Sequence, residues 1–345
     1  MPKWPHRQPP RSAPPEHIVD APSQARTLEA SAADSLVSAL PTPAALQNID
    51  ERLIEVVRML PKLLALRQFA SMDRFALEAL CRAQAQPVYL GDHRAICRIL
   101  SRYKLFLDTR DRGFAANVLL DGYWEMWLTI FMCRRIQPGM VVVDVGANFG
   151  YYTLLLAGLV GPEGHAVAIE PNPAVAALLR QSVALNGFAS RTSVIGAAAG
   201  ADPLEEALLY SPHGEFKNAC IIESPKMVNS VNGTLQHVRQ VKIDDIVAAK
   251  PRVDFLKIDA EGAEESIIEG MRQCIEDYKP SFILEFNAAR CKEPEKLIRQ
   301  LTSIYKIVCY LDFHSNLIRT SEAELMSQHV GEDWLLFFDH GTATA

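Results

Sequence analysis

No stretch of the chain holds the roughly 18 uninterrupted apolar residues that a membrane span requires, and residues 1–10 lack the apolar core of a secretory signal. A soluble protein of the cytoplasm, with no membrane span, is expected. Nor is there a run of Lys or Arg: 35 basic residues against 41 acidic ones leave a formal net charge of −6. Nucleic-acid binding is largely phosphate neutralisation, so this balance argues against a nucleic-acid partner and for a small or neutral one. Paired cysteines are missing too. The seven cysteines, Cys81, Cys97, Cys133, Cys220, Cys274, Cys291 and Cys309, stand far apart, form no Cys-x-x-Cys pair and are odd in number. Free thiols in a reducing compartment follow.

What the chain does have is a hydrophobic fraction of 49%, enough for a sizeable core. Its 345 residues suit one large domain plus an extension. Residues 1–47 are crowded with proline, from Pro2 to Pro43, among small and polar residues, and read as a disordered tail. Residues 48–136 read as a helical cap with lead-in strands. There Leu53, Ile54, Val57, Leu60, Leu63, Leu64 and Leu66 recur at helical spacing with a kink at Pro61. Strand material follows at 95–109 and an aromatic-rich helix at 123–135.

From 137 to 345 short apolar runs alternate with helical stretches, as a parallel sheet with crossover helices requires. The predicted strands cover residues 140–145, 165–169, 192–196, 255–258, 281–286, 306–311 and 334–338. The last follows the sixth without a strong intervening helix, which predicts an antiparallel return. A long insertion, 202–247, is the expected place for class-specific substrate contacts.

The strongest local signal is Val141-Val142-Val143-Asp144-Val145-Gly146-Ala147-Asn148-Phe149-Gly150, a buried strand entering a glycine turn and then a helix. Gly146 and Gly150 let the main chain turn sharply and approach a ligand, with Ala147 and Asn148 between them. A carboxylate at Asp144 would repel a pyrophosphate but complements the ammonium of an amino-acid ligand. The turn also lacks the G-x-G-x-x-G spacing of dinucleotide sites, so the motif favours S-adenosylmethionine over NAD. Glu170 ends the second strand, where an acid accepts hydrogen bonds from ribose hydroxyls. Pro171 closes that strand, Asn172 is set to cap the next helix and Pro173 to open it. Ala197 and Ala198 after the third strand leave space for a flat adenine.

The fourth strand ends in Lys257-Ile258-Asp259-Ala260-Glu261-Gly262-Ala263-Glu264, which makes Lys257, Asp259 and Glu261 the candidate catalytic residues. Asp259 or Glu261 would act as a general base toward a substrate hydroxyl, and Asp259 also borders the cofactor. Alternatively Asp259, Glu285 and Asn287 would hold a divalent metal that lowers the hydroxyl's pKa. Glu264 and Glu265 suit the N-terminus of the next helix. His213, His237 and His314 read as surface residues, and no Asn/Asp-Pro-Pro-Tyr run marks a flipped-base enzyme.

Taken together, Asp144-Val-Gly-Ala-Asn-Phe-Gly-Tyr-Tyr-Thr153, Ile169-Glu-Pro-Asn172, Leu256-Lys-Ile-Asp-Ala-Glu-Gly-Ala-Glu264 and Ile283-Leu-Glu-Phe286 resemble the FkbM family of S-adenosylmethionine-dependent methyltransferases. Asp108-Thr-Arg-Asp111 and Gly122-Tyr-Trp-Glu125 are similar to that family's lead-in, so the resemblance covers about residues 95–340. It implies a Rossmann-like class I methyltransferase fold: a seven-stranded, mostly parallel sheet with helices on both faces, plus an N-terminal helical extension. It also implies methyl transfer to a hydroxyl of a sugar, glycolipid or secondary metabolite, with Glu125 at the cofactor's amino-acid end. Two other readings stay open: a non-catalytic module that binds cofactor or glycan, and an NAD-linked oxidoreductase on the related fold.

Overall fold

The structure, a computed structural model, describes residues 64–228, 232–328 and 330–341. The chain divides into two units, Met1–Lys62 and Leu63–Ala345, and every described residue belongs to the second. The expected proline-rich tail and the helical pattern up to residue 63 lie outside the described residues.

Two helices come first, α1 (Leu66–Phe69) and α2 (Arg74–Gln84), the latter opened by Asp73, whose carboxylate accepts the Ala76 amide. An antiparallel sheet follows: β1 (Val88–Gly91), β2 (Arg94–Ile99) and β3 (Tyr103–Asp108), with burial alternating along β2 as a one-sided strand requires. Then come α3 (Phe114–Asp121) and α4 (Met126–Arg135).

The main sheet begins at β4 (Val141–Val145) and alternates with α5 (Tyr151–Val160), β5 (His165–Ile169), α6 (Pro173–Leu185) and β6 (Thr192–Ile195). The insertion supplies β7 (Ala198–Ala199), β8 (Leu204–Pro212), β9 (Cys220–Ile222) and β10 (Gly233–Val241) before α7 (Ile243–Val247). The second half runs β11 (Phe255–Ile258), α8 (Glu264–Glu269), α9 (Arg272–Tyr278), β12 (Ser281–Phe286), α10 (Pro294–Ile304) and β13 (Ile307–Leu311). The chain closes with β14 (Leu317–Arg319), α11 (Glu322–Ser327) and β15 (Trp334–Asp339).

The main sheet has the order β14-β13-β15-β12-β11-β4-β5-β6. β6, β5, β4, β11 and β12 are mutually parallel, and β15 runs antiparallel between β12 and β13. The chain winds outward from β4 to β6 and then returns to place β11 on the other side of β4. That reversal opens a crevice at the carboxyl ends of β4 and β11, where open α/β sheets bind ligands. Both strands are buried throughout, which is why they read as unbroken apolar runs.

Side chains divide by the two-residue period of the strands. Val142, Ala166, Ala168, Phe255, Ile283 and Phe337 join one apolar cluster with α1 to α6, whereas Val143, Val145, Leu256 and Phe282 join the other with α8 to α10. The lead-in helices therefore share a core with one face of the main sheet. On that side α6 closes the outer edge of β3: Asn186 pairs with both the amide and the carbonyl of Lys104, and the Ser182 hydroxyl accepts the Phe106 amide.

Two features depart from the sequence reading. The return from β13 to β15 carries a short strand and a helix, both too brief to show a period. The insertion folds into its own four-stranded sheet, β7-β10-β8-β9, attached beside the end of β6.

Candidate active site

At the carboxyl edge of β4, β5 and β11 lies a cavity of about 1000 Å³, its open mouth included. Three sequence motifs meet there. Gly146, Ala147 and Asn148 line it from the turn after β4, Glu170 and Pro171 from the end of β5, and Lys257, Asp259 and Glu261 from the end of β11. The insertion sheet contributes Leu209 and Ile221, and the lead-in contributes Phe114, Trp124 and Glu125.

The glycine turn is tight because of protein atoms. Gly146 has φ +73°, and a Cβ there would stand 1.7 Å from the Asp259 carbonyl oxygen. Gly150 has φ +99°, and its Cβ would meet Leu179 Cδ1 at 2.2 Å. Gly146 still borders the cavity, whereas Gly150 serves the packing of the turn on α6. The amides of Gly146 and Ala147 both donate to the Ile169 carbonyl at 3.0 Å, which locks the turn against β5.

Glu170 is almost fully buried, with each carboxylate oxygen accepting one amide: Asn172 at 2.8 Å and Asn148 at 2.8 Å. Burial pushes its carboxyl up to about 7 although both amides pull the other way. Each oxygen keeps a free lone pair, the requirement for accepting a vicinal diol. Asn172 caps α6 as expected, through the amides of Ala174 and Val175. Ala198 is on the wall beside Ala199, whereas Ala197 is buried behind it.

Asp144 is 1% exposed and is not on the cavity wall. A buried carboxylate costs several kcal/mol unless paired, and the pairing here is partial. Oδ2 accepts the Thr153 hydroxyl at 2.6 Å, while Oδ1 has no hydrogen-bond donor and faces the Lys257 ammonium at 3.9 Å. Lys257 in turn pairs with Asp259 at 2.9 Å and lies 5.1 Å from the Tyr152 ring centre. Burial alone would lower the Lys257 pKa, but Asp259 and then Asp144 hold it well above the ordinary lysine range. Lys257 is thus a fixed cation and no proton acceptor.

Glu125 stands at φ +36° before α4, a strained conformation for a residue with a side chain, and accepts the Tyr152 hydroxyl at 2.8 Å. Burial, and then the charge of Asp259, raises its pKa.

Asp259, Glu261 and Glu285 bring carboxylate oxygens within 4.8 Å of one another, the geometry by which hard cations are held. The Asn287 amide donates to the Gly331 carbonyl and to Asp333, its Oδ1 accepts the Ala289 amide, and Glu261 is the third acid of the cluster. Arg290 adds positive charge by binding Glu261 and Asp333, with Glu285 at 3.7 Å. Burial would raise Asp259, but Lys257 outweighs it and holds this carboxyl below the ordinary range. Glu285 is pushed up to about 9 by burial and then by Asp259 and Glu261. Glu264 turns away to accept the amides of Ala260 and Gly262 at the start of α8.

Sequence reading missed Tyr152, Thr153, Arg290 and the insertion's Phe216 and Lys217. Tyr152 and Thr153 directly follow the glycine turn, so their place on the first turn of α5 was a usable signal. Phe216 and Lys217 sit in a loop of the insertion, where no periodicity points to them.

An open sheet whose seven strands from β6 to β13 follow the order third, second, first, fourth, fifth, seventh and sixth, with the seventh antiparallel, defines a Rossmann-like class I methyltransferase fold. Residues 144–314 match the family model of the methyltransferase FkbM domain, and this part of the chain is an FkbM methyltransferase domain. A protein-L-isoaspartate O-methyltransferase of Aeropyrum pernix is 41% identical over 59 residues, 17% of this chain and 23% of that protein. An arsenite methyltransferase of Halobacterium salinarum is 26% identical over 131 residues, 36% of this chain and 32% of that protein. In neither case does the match reach a third of the relative's own length. The crystal structure of methyltransferase FkbM from Methylobacillus flagellatus KT covers 66% of this chain and 56% of its own at 18% identity, with a TM-score of 0.38. The structure of a putative rRNA-methylase from Clostridium thermocellum covers 61% and 90% at 12% identity, with a TM-score of 0.35.

The donor set fits the cofactor this family implies. Five acidic side chains line the cavity, Glu125, Glu170, Asp259, Glu261 and Glu285, against two lysines, Lys217 and Lys257; Glu285, raised to about 9, keeps its proton at neutral pH, and the other four still outnumber the lysines. Such a lining favours a ligand carrying sulfonium and ammonium charges over a pyrophosphate. Ile169, Pro171, Ala198, Leu209 and Ile221 form the small and apolar part of the wall that a purine needs.

Proposed function

We propose that the protein is an S-adenosylmethionine-dependent methyltransferase acting on a hydroxyl oxygen of a sugar, glycolipid or secondary metabolite. The observation that carries this reading is the acidic lining at a class I crevice: four acids besides the protonated Glu285, against two lysines. The same imbalance disfavours the NAD-linked alternative, whose dinucleotide brings two phosphate charges.

When bound, the cofactor supplies an electrophilic methyl on sulfur. Glu170 accepts the ribose hydroxyls, the wall from Ile169 to Ile221 takes the base, and Glu125 serves the amino-acid end. Lys257 holds Asp259 ionised and fixed beside the reacting centre. The acceptor hydroxyl lies against the acids after β11, where alignment does most of the catalytic work. With the methyl donor bound, a carboxylate after β11 would take the proton that the acceptor hydroxyl gives up on methylation. Glu261 suits that role better than Asp259, because burial and Asp259 raise its basicity while Lys257 lowers that of Asp259. Asp259, Glu261 and Glu285 would also hold a divalent cation, should the reaction use one.

Isothermal titration with S-adenosylhomocysteine, with NADH as control, tests the donor site. Saturable binding of the first alone is expected, followed by transfer of labelled methyl in an acceptor screen. Binding of NADH alone would overturn the reading, and cofactor binding without transfer to any acceptor would favour a non-catalytic module.

A further inference from the structure

Lys217 is a cation on the cavity wall whose charge is not already committed. The other wall lysine, Lys257, is bound to Asp259 and faces Asp144. Arg290, near the same acids, is occupied by Glu261 and Asp333. Among the described residues Lys217 forms no ion pair, yet it is firmly placed. Its stem lies over Gly113, where a Cβ would meet Lys217 Cε at 3.2 Å, and its ammonium is 5.6 Å from the Trp124 ring centre. The loop that carries it is pinned from below. Asp111, 1% exposed, accepts the Phe216 amide with Oδ2 at 2.8 Å and the amides of Phe114 and Ala115 with Oδ1, each at 2.7 Å.

A ligand with an amino-acid end brings one carboxylate into a cavity whose charged side chains are mostly acids. Glycine-turn amides often take such a group, but here all are spent. Gly146 and Ala147 donate to Ile169, Asn148 to Glu170, Phe149 to the Asn148 side chain and Gly150 to Ala147. The remaining positive group is Lys217, close enough to Glu125 and Glu261 to lower the pKa of both.

We infer that Lys217 receives the carboxylate of the cofactor's amino-acid end, while Glu125 beside it takes the ammonium. The inference rests on the methyltransferase reading above. Its test compares S-adenosylhomocysteine with the decarboxylated analogue, which keeps the amine and loses only the carboxylate. The intact chain is expected to prefer S-adenosylhomocysteine about tenfold, equivalent to about 1.4 kcal/mol. Lys217→Met should weaken that ligand about tenfold, leave the analogue unchanged and so erase the preference, while Lys217→Arg restores it. Gly113→Ala, which presses on the lysine stem, should show the same selective loss in milder form. Equal weakening of both ligands, or no weakening of either, would overturn the assignment. An intact chain that binds neither ligand defeats the methyltransferase reading itself, and the lysine's role with it.

Discussion

Glu170 shows how one side chain can hold a turn and still border a cavity. Its two oxygens each hold a backbone amide, so it fixes the glycine turn and the entry to α6 while presenting its free lone pairs to the cavity. Its carboxyl is raised by burial from 4.5 to about 7, and the ionised form is the better acceptor of ribose hydroxyls. S-adenosylhomocysteine should therefore bind more tightly as pH rises through about 7. Titrations between pH 6 and 8 would show a Kd that falls with pH in the parent and a flat profile in Glu170→Gln, on the order of tenfold weaker at the upper end. Site residues of this kind were legible because each stands at a strand end, a position that apolar runs mark clearly. The orientation of Asn287 was not legible, because proximity to a strand end says nothing about rotamer: its side chain bonds Gly331, Asp333 and the Ala289 amide.

At the scale of elements, the strands of the main sheet were legible nearly to the residue. β5, β11 and β12 match their predicted spans, because strands buried on both faces are short apolar runs bounded by turn residues. The insertion sheet was not. β8 and β10 are long, partly exposed and mixed in polarity, so neither continuous hydrophobicity nor strict alternation marks them. Asp111, a buried carboxylate, ties their connecting loop to α3, next to the Arg112 amide, which donates to the Gly214 carbonyl. Asp111→Ala should cost about 1–2 kcal/mol, the value of a lost cap, in urea unfolding. Hydrogen exchange should reveal where: amides of residues 113–117 and 213–218 should lose protection while those of β4 and β11 keep theirs. Uniform loss across the sheet would mean that Asp111 supports the fold as a whole.

The whole molecule carries its carboxylates in a way that sets its response to pH. Glu285 is raised from 4.5 to about 9, so its folded state retains a proton that the unfolded chain has already lost. Where the native state binds more protons, stability falls as pH rises. Its contribution is complete below about 4.5 and is lost as pH rises through about 9. The thermal midpoint should accordingly decline between pH 7 and 10, and Glu285→Gln, which cannot ionise, should flatten that decline. Scanning calorimetry of both proteins across this range would check it. An equal slope in both would place the titrating group elsewhere. Among the described residues no helix is long and apolar enough to cross a membrane.

Asp144 and Lys257 have a consequence for how this sequence tolerates change. They face each other across 3.9 Å in the buried interior, where the one ammonium, held by Asp259 at 2.9 Å, also offsets part of the cost of Asp144. Alone, Lys257→Met leaves Asp144 and Asp259 with no cation between them and should destabilise by about 2–4 kcal/mol, whereas Asp144→Asn leaves Lys257 matched by Asp259 and should cost far less. Changed together, they leave the partly exposed Asp259 as the one acid of the three, so the double variant should recover much of what Lys257→Met loses in denaturant titrations while leaving Asp259 free to move. The lysine at the end of β11 would then be replaceable for folding, but only in step with an acid 113 positions away, a dependence that single substitutions cannot reveal.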